Sequence, residues 1–219
     1  MKSNAELQQD VQDAIKWQPL LNAAEIGVTA KSGVVSLTGV VDNYAKKTEA
    51  EDAAKNVAGV TAVVEKIEVR FPNSWSKTNA EIATEVLNAL KARWDVPNDK
   101  IKVNVENGWI TLTGELNWNY QKEAAKDSIK NLMGVTGVTN KITIKSETQN
   151  AIEESAIESA LKRNWSVNNQ DIRVKASGHN ATLTGTVNSW YQKEEAGRIA
   201  WGATGVWTVD IQLVVDWDY

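Results

Sequence analysis

The sequence predicts an α+β protein made of three tandem αββαβ domains, each with two helices covering one face of a three-stranded mixed sheet. Three observations lead there. The tripeptide Leu37-Thr38-Gly39 returns as Leu112-Thr113-Gly114 and Leu183-Thr184-Gly185, at offsets of 75 and then 71 residues, and the same offsets carry Gly59-Val60 onto Gly134-Val135 and Gly205-Val206. Alternating apolar runs flank Ser32-Gly33 and Asn107-Gly108, dipeptides that close two-residue hairpins. Small apolar residues recur at helical spacing between the second and third strand runs. A unit of about 70 residues holding both helix and strand signals is a small domain, longer than most solenoid repeats. The expected domains are residues 1–72, 76–146 and 148–219, joined by short linkers near Pro72-Asn73-Ser74 and Ser146-Glu147-Thr148, so neighbours should touch.

Each unit opens with a helix start. Ser3 with Glu6, Thr78 with Glu81 and Asn150 with Glu153 set a capping side chain three residues before a glutamate, the pairing that satisfies orphan amides of a first turn. The apolar face of the helix reads Ile82, Val86, Leu87, Leu90 and Trp94 in the second unit, and Ile152, Ala156, Ile157, Leu161 and Trp165 in the third, which places Trp94 and Trp165 in the core or at its edge. Two strands follow, Ile26, Val28 and Ala30 then Val34, Ser36 and Thr38 in the first unit, and Ile101, Val103 and Val105 then Trp109, Thr111 and Thr113 in the second. The interleaved Val35, Leu37, Ile110 and Leu112 make the second strand apolar on nearly both faces, so it should lie centrally.

The second helix presents Ala50, Ala53, Ala54 and Val57, then Ala125, Ser128, Ile129 and Leu132, then Ala196, Ile199, Ala200 and Ala203, a face that lets its backbone approach the sheet. Gly59, Gly134 and Gly205 are placed to end that helix in a left-handed conformation. The last strand is expected over Val63–Val69, Val138–Ile144 and Val209–Val215. In the third unit the hairpin departs from the pattern, at Ser177-Gly178-His179-Asn180, where the glycine is displaced by one.

Composition narrows function mainly by exclusion. The 42% hydrophobic and 24% charged residues of the 219-residue chain are those of a globular protein. A formal charge of −4 creates no overall field for nucleic acid or anionic lipid, so any such contact is local. With no cysteine, disulfides, thiolate metal sites and cysteine nucleophiles are ruled out. The segment Met1-Lys2-Ser3-Asn4-Ala5-Glu6 has no apolar leader core, which reads as cytoplasmic; a chain whose leader had already been removed would read the same and be periplasmic. His179, the only histidine, has no triad or ligand pattern around it and reads as a turn residue. Glu49, Glu51 and Asp52, like Glu123 with Asp127, read as a solvated helix face among lysines. Gly134-Val135-Thr136-Gly137 has the glycine spacing of an RNA-binding loop in one unit only, without a basic flank, which argues against nucleic acid.

The pattern Ile-x-Val-x-Val, a glycine turn, Thr-Leu-Thr-Gly, an alanine-rich helix ending in Gly-Val and a Val-Thr-Asn-Lys-Ile strand resembles the BON domain, the module of OsmY-like and nodulation proteins. The second unit fits best, through Gly108-Trp109-Ile110-Thr111-Leu112-Thr113-Gly114 and Asn117-Trp118-Asn119-Tyr120-Gln121-Lys122, and the resemblance covers nearly the whole chain. It implies a non-catalytic module tied to envelope stress, transport or secretion, with phospholipid surfaces or protein partners as ligands. It brings no catalytic residues with it.

The residues themselves offer one candidate site, an aromatic and lysine cluster at the entry to the second helix. It comprises Tyr44, Lys46 and Lys47, then Trp118, Tyr120 and Lys122, then Trp190, Tyr191 and Lys193. Aromatic rings beside ammonium groups suit an interfacial lipid or phosphate contact; the plain structural reading is that the rings staple the helix to the sheet rim. Gly39, Gly59, Gly114, Gly134, Gly185 and Gly205 are expected to be structural. Ten tryptophans against one phenylalanine also point to wet edges and interfaces, with Trp75 and Trp217 expected to pack between domains or chains, and Trp201 and Trp207 to mark a surface peculiar to the third unit. Formal charge is −2 for residues 1–72 (8 basic, 10 acidic), +1 for 73–147 (10 and 9) and −3 for 148–219 (6 and 9), so the middle domain is the one to meet an anionic surface. The expected function is multivalent binding to a phospholipid surface or envelope component, or else a protein-interaction or self-assembling scaffold, without metal, cofactor, small-molecule substrate or catalysis.

Overall fold

The computed structural model describes residues 2–72, 77–145, 152–167 and 171–216. The first domain runs α1 (Asn4–Lys16), β1 (Ile26–Lys31), β2 (Val34–Val41), α2 (Tyr44–Lys55) and β3 (Ala62–Val69). The second repeats it as α3 (Asn79–Ala92), β4 (Ile101–Glu106), β5 (Trp109–Leu116), α4 (Asn119–Ile129) and β6 (Gly137–Ile144). The third is α5 (Glu154–Arg163), β7 (Asp171–Ser177), β8 (Asn180–Val187), α6 (Trp190–Trp201) and β9 (Thr208–Val215). The three sheets are separate, and in each the middle strand is antiparallel to the strand before it and parallel to the strand after it. A parallel neighbour requires a crossover, and α2, α4 and α6 supply it.

The core of each domain lies between the sheet and its two helices. Leu37, Leu112 and Leu183 of the central strands are wholly buried, as are Ala50, Ala54, Ala125, Ile129, Ala196 and Ala200 from the crossover helices facing them. The central strand is buried on that face alone, and the apolar residues on its other face, Val34, Val40 and Trp109, stay partly exposed. Its other face carries Ser36 and Thr38, then Thr111, Thr113 and Glu115, then Thr182, Thr184 and Thr186, because no helix covers that side. Its central place therefore follows from pairing on both edges and not from two apolar faces.

Capping follows the sequence in two domains out of three. The Glu6 amide donates to the Ser3 hydroxyl and the Ser3 amide to the Glu6 carboxylate, at 3.2 and 2.8 Å, and Thr78 with Glu81 repeats the exchange at 3.3 and 2.8 Å. Asn150 lies outside the described residues, and α5 starts at Glu154 with Glu153 as an N-cap that makes no side-chain capping bond. Leu87 also departs from expectation: it is exposed, because Ile82, Val86 and Leu90 already fill the buried stripe of α3.

The hairpins form as two-residue turns. Ser32 and Gly33 have φ of 49° and 79°, and Asn107 and Gly108 of 51° and 77°, the doubly left-handed geometry whose twist matches the strands. In the third hairpin only Gly178 is left-handed, at 61°, with Ser177 paired to Asn180. That arrangement, with glycine first, accounts for the displaced glycine. Gly59, Gly134 and Gly205 do have positive φ, but they lie beyond the helix ends, since Asn56, Lys130 and Gly202 are the C-caps and are right-handed.

The glycine of each Leu-Thr-Gly is under a stronger constraint. A Cβ on Gly39, Gly114 or Gly185 would lie 2.0, 2.2 or 1.8 Å from the carbonyl oxygen of Glu25, Lys100 or Asp171, and all three positions have positive φ. Gly114→Ala is therefore expected to destabilise the second domain by roughly 2–4 kcal/mol, the sum of a disfavoured conformation and a backbone clash; urea unfolding that left the midpoint unchanged would refute this. Thr78→Ala should cost about 1 kcal/mol and speed amide exchange in the first turn of α3, which hydrogen-exchange mass spectrometry would report.

Candidate functional site

The aromatic and lysine cluster assembles at the start of each crossover helix, and much of it is engaged in holding the fold. Lys47 Nζ donates to the Ile67 carbonyl at 2.8 Å and pairs with Glu65 at 2.9 Å, both side chains largely covered. Lys193 makes the equivalent bond to the Leu213 carbonyl at 2.7 Å and stands 5.7 Å from the centre of the Trp190 ring. These lysines tie the crossover helix to the outer strand, and they occupy backbone groups that an edge would otherwise present. Lys46 pairs with Asp42 at 2.8 Å. The indole N–H of Trp190 is spent on Glu194 at 3.0 Å. In the second domain Trp118 is the half-buried N-cap of α4, its amide donating to Gln121 at 3.2 Å, while the Lys122 carbonyl accepts from Asn140 at 2.8 Å. Tyr120 and Tyr191 are exposed.

Tyr44 is different again. It is buried against residues of the second domain's core, joined there by Val69 from the first domain and Trp201 from the third. Burial pushes the Tyr44 phenol above its ordinary pKa, a shift partly opposed by its hydrogen bond with the Val138 backbone. Charges of opposite sign face each other across the same seam: Lys130, held protonated chiefly by its hydrogen bond to Asp127, also feels Asp52 and Glu49 of α2. The domains thus touch, as short linkers imply. Trp201 belongs to this seam and not to a free surface.

Trp207 is likewise occupied. It stacks on His179 with ring centres 3.9 Å apart and planes within 4°, while His179 Nδ1 lies 2.7 Å from the Gly205 carbonyl oxygen. The corresponding pairs in the other domains are Gly33 with Thr61 and Gly108 with Thr136, where the threonine amide donates to the glycine carbonyl just as the Trp207 amide donates to His179. A ring pair has replaced a glycine and threonine pair at one place in the fold. Trp75 and Trp217 lie outside the described residues.

The exposed aromatic surface lies elsewhere. Trp17, Trp94 and Trp165 are 86%, 96% and 84% exposed. Trp17 is the C-cap of α1, and Trp94 and Trp165 each follow the C-cap, Arg93 and Asn164 respectively. Their expected place in the core fails because both helices end before reaching them, and the chain turns outward there. Basic residues precede each ring: Lys16, then Lys91 and Arg93, then Lys162 and Arg163. Helical periodicity extended one turn too far hid this arrangement; the basic residues typical of a helix C-terminus were the available sign of where the helix stops.

Beside these ends lie two open grooves at matching positions between the helices. One of about 350 Å³ is lined by Ala14, Trp17, Ala53 and Val57 among others, and one of about 490 Å³ by Ala160, Arg163, Ile199 and Ala203 among others. Among the described residues no three His, Asp or Glu side chains converge as a metal site would require, and no helix is long and apolar enough to cross a membrane.

The sequence profile of the BON domain matches the chain three times, over residues 3–70, 78–146 and 150–216. The chain belongs to the BON domain family. Osmotically-inducible protein Y of Escherichia coli (strain K12) is 30% identical over 129 residues, which is 57% of this chain and 64% of that protein, so the match spans less than two thirds of the relative. Two solved structures of CdsD, a structural protein of the type III secretion system of Chlamydia trachomatis, align over 96% and 98% of this chain and 92% and 100% of theirs, at 17% and 18% identity with TM-scores of 0.24 and 0.26. BON proteins are generally not enzymes.

The Tyr44 shift sets a pH dependence for the seam. Because the folded state raises the phenol's pKa, its contribution is fully present below the unfolded value of about 10 and is lost as pH climbs through the folded one. Wild type should therefore lose stability relative to Tyr44→Phe only in alkaline solution, a divergence that paired thermal melts across the pH range would detect.

Proposed function

We propose that this chain is a non-catalytic binding module that engages anionic phospholipid surfaces through three weak, linked contacts. The reading rests on one observation: three indoles, each almost fully exposed, stand at the C-terminal end of the first helix of each domain, Trp94 and Trp165 in register and Trp17 two positions earlier, each next to basic side chains. An exposed indole is costly in water and favourable at a headgroup boundary, where its ring is half in hydrocarbon and its N–H stays wet. Adjacent Lys and Arg add attraction of about 1 kcal/mol each near an anionic surface, within a Debye length of roughly 8–10 Å. The partner available to Lys16, Asp13 at 3.2 Å, forms an exposed pair of small worth that gives way easily, whereas Arg93 is held in a bidentate pair by the largely covered Asp95, so Lys91 is the freer cation beside Trp94. With a net charge of −4, long-range attraction is absent and the contact is short-ranged. Three sites on one chain then bind together where one would fall off. The name of the Escherichia coli relative extends this to a role under osmotic stress.

Flotation with phosphatidylglycerol vesicles tests it. Wild type should co-float at low salt and release as salt rises. Each single change, Trp17→Ala, Trp94→Ala or Trp165→Ala, should weaken binding several-fold, and the triple change should abolish it; all three are surface substitutions that leave stability within about 0.5 kcal/mol. No flotation at low salt, or undiminished flotation of the triple variant, would refute the lipid reading. The matching interhelical grooves of the first and third domains favour a second reading, a protein-interaction scaffold without lipid affinity. Light scattering that grows with protein concentration, in a protein that ignores vesicles, would select it.

A further inference from the structure

The uncovered face of the middle sheet holds one aromatic ring in an environment unlike that of the helix-end tryptophans. Trp109, at the start of β5, lies flat across the sheet over Gly137 of β6: a Cβ added to Gly137 would come within 2.3, 2.4 and 2.7 Å of three carbons of its six-membered ring. The indole N–H is donated to Thr139 Oγ1 at 2.8 Å, which pins the ring from the side. One π-face is thus sealed against backbone and the hydrogen-bonding edge is satisfied. The residue is still 46% exposed, so the opposite face meets solvent.

The neighbours on this face are polar. Glu106 stands opposite Trp109 on β4, Asn104 stands opposite Thr111, and Asn104 donates to Glu106 at 3.1 Å; Lys141 lies further along β6, opposite Thr113. Among the described residues no apolar patch surrounds the ring, so a lipid or a hydrophobic protein surface would bury one indole at the expense of many hydrated groups. The ligand that matches has a flat C–H face for the ring and hydroxyls around its rim. The first and third domains have Val34 and Asn180 at this position, so the platform belongs to the second domain.

We propose that Trp109 is a stacking platform for a saccharide, with Asn104, Glu106 and Thr111 as hydrogen-bonding partners of its hydroxyls. A β-1,4-linked gluco-configured chain fits best, because all its ring substituents are equatorial and its faces present only C–H groups. This site is independent of the helix-end tryptophans.

The test is an NMR titration of the intact protein with cellotetraose and with chitotetraose, sorbitol serving as a polyol without a ring. The Trp109 indole resonance, assigned by its loss in Trp109→Phe, and the amides of Gly137 and Thr139 should shift saturably with at least one oligosaccharide and not with sorbitol. Trp109→Ala should abolish the response, and Asn104→Ala, an exposed change that leaves the ring over Gly137, should weaken it. Absence of any wild-type shift up to the solubility of both sugars would overturn the proposal whatever the variants do. Equal shifts with sorbitol, or shifts confined to Trp17, Trp94 or Trp165, would overturn it too.

Discussion

Each domain depends on sealing one face of its central strand. Leu37, Leu112 and Leu183 reach zero exposure only because a helix on either side of the hairpin folds back over the same face. The parallel third strand makes that closure compulsory, since the chain has to cross over the sheet to reach it. Alanines at Ala50, Ala125 and Ala196 then set how near the crossover helix can come. The glycine that follows each central leucine by two is the counterpart on the neighbouring side, where the incoming carbonyls of Glu25, Lys100 and Asp171 pass too close for any side chain. A leucine buried in this way contributes on the order of 2–5 kcal/mol against truncation, so three such units hold the chain without disulfides.

Most of this was legible in the residues because the signals were local and repeated. Asn107-Gly108 determines its turn by conformational preference alone, and Ser3 with Glu6 or Thr78 with Glu81 form their caps within one turn of helix. The misreadings come from longer range. Trp94 and Trp165 continue the apolar spacing of their helices, yet the helices stop first, an outcome decided by where the chain must turn toward the next strand. Tyr44 looked like a member of a surface cluster, and its burial depends on a second domain that no spacing within the first can announce. Trp109 read simply as one position of an alternating strand; its posture over Gly137 is set by a strand 28 residues away.

The two aromatic populations divide along physical lines. Rings that enter seams or hairpins, such as Tyr44, Trp201 and Trp207, meet apolar atoms or another ring and serve cohesion. Rings at helix ends protrude beside ammonium and guanidinium groups, and Trp109 lies flat among hydroxyls and carboxylates. Amphipathic surroundings suit an interface between phases, whereas uniformly polar surroundings suit a small polyhydroxylated molecule. The same residue type thus takes different tasks according to its neighbours.

The stacked His179 and Trp207 limit how freely the three modules could be interchanged. A chimera that grafted only the third hairpin into the first domain would bring an imidazole against Thr61, where no flat partner awaits it, and a graft of Trp207 alone would leave an indole over a glycine turn. The two changes belong together although 28 positions separate them, so recombination between repeats succeeds only when the breakpoints enclose the strand, the helix and the loop as one block.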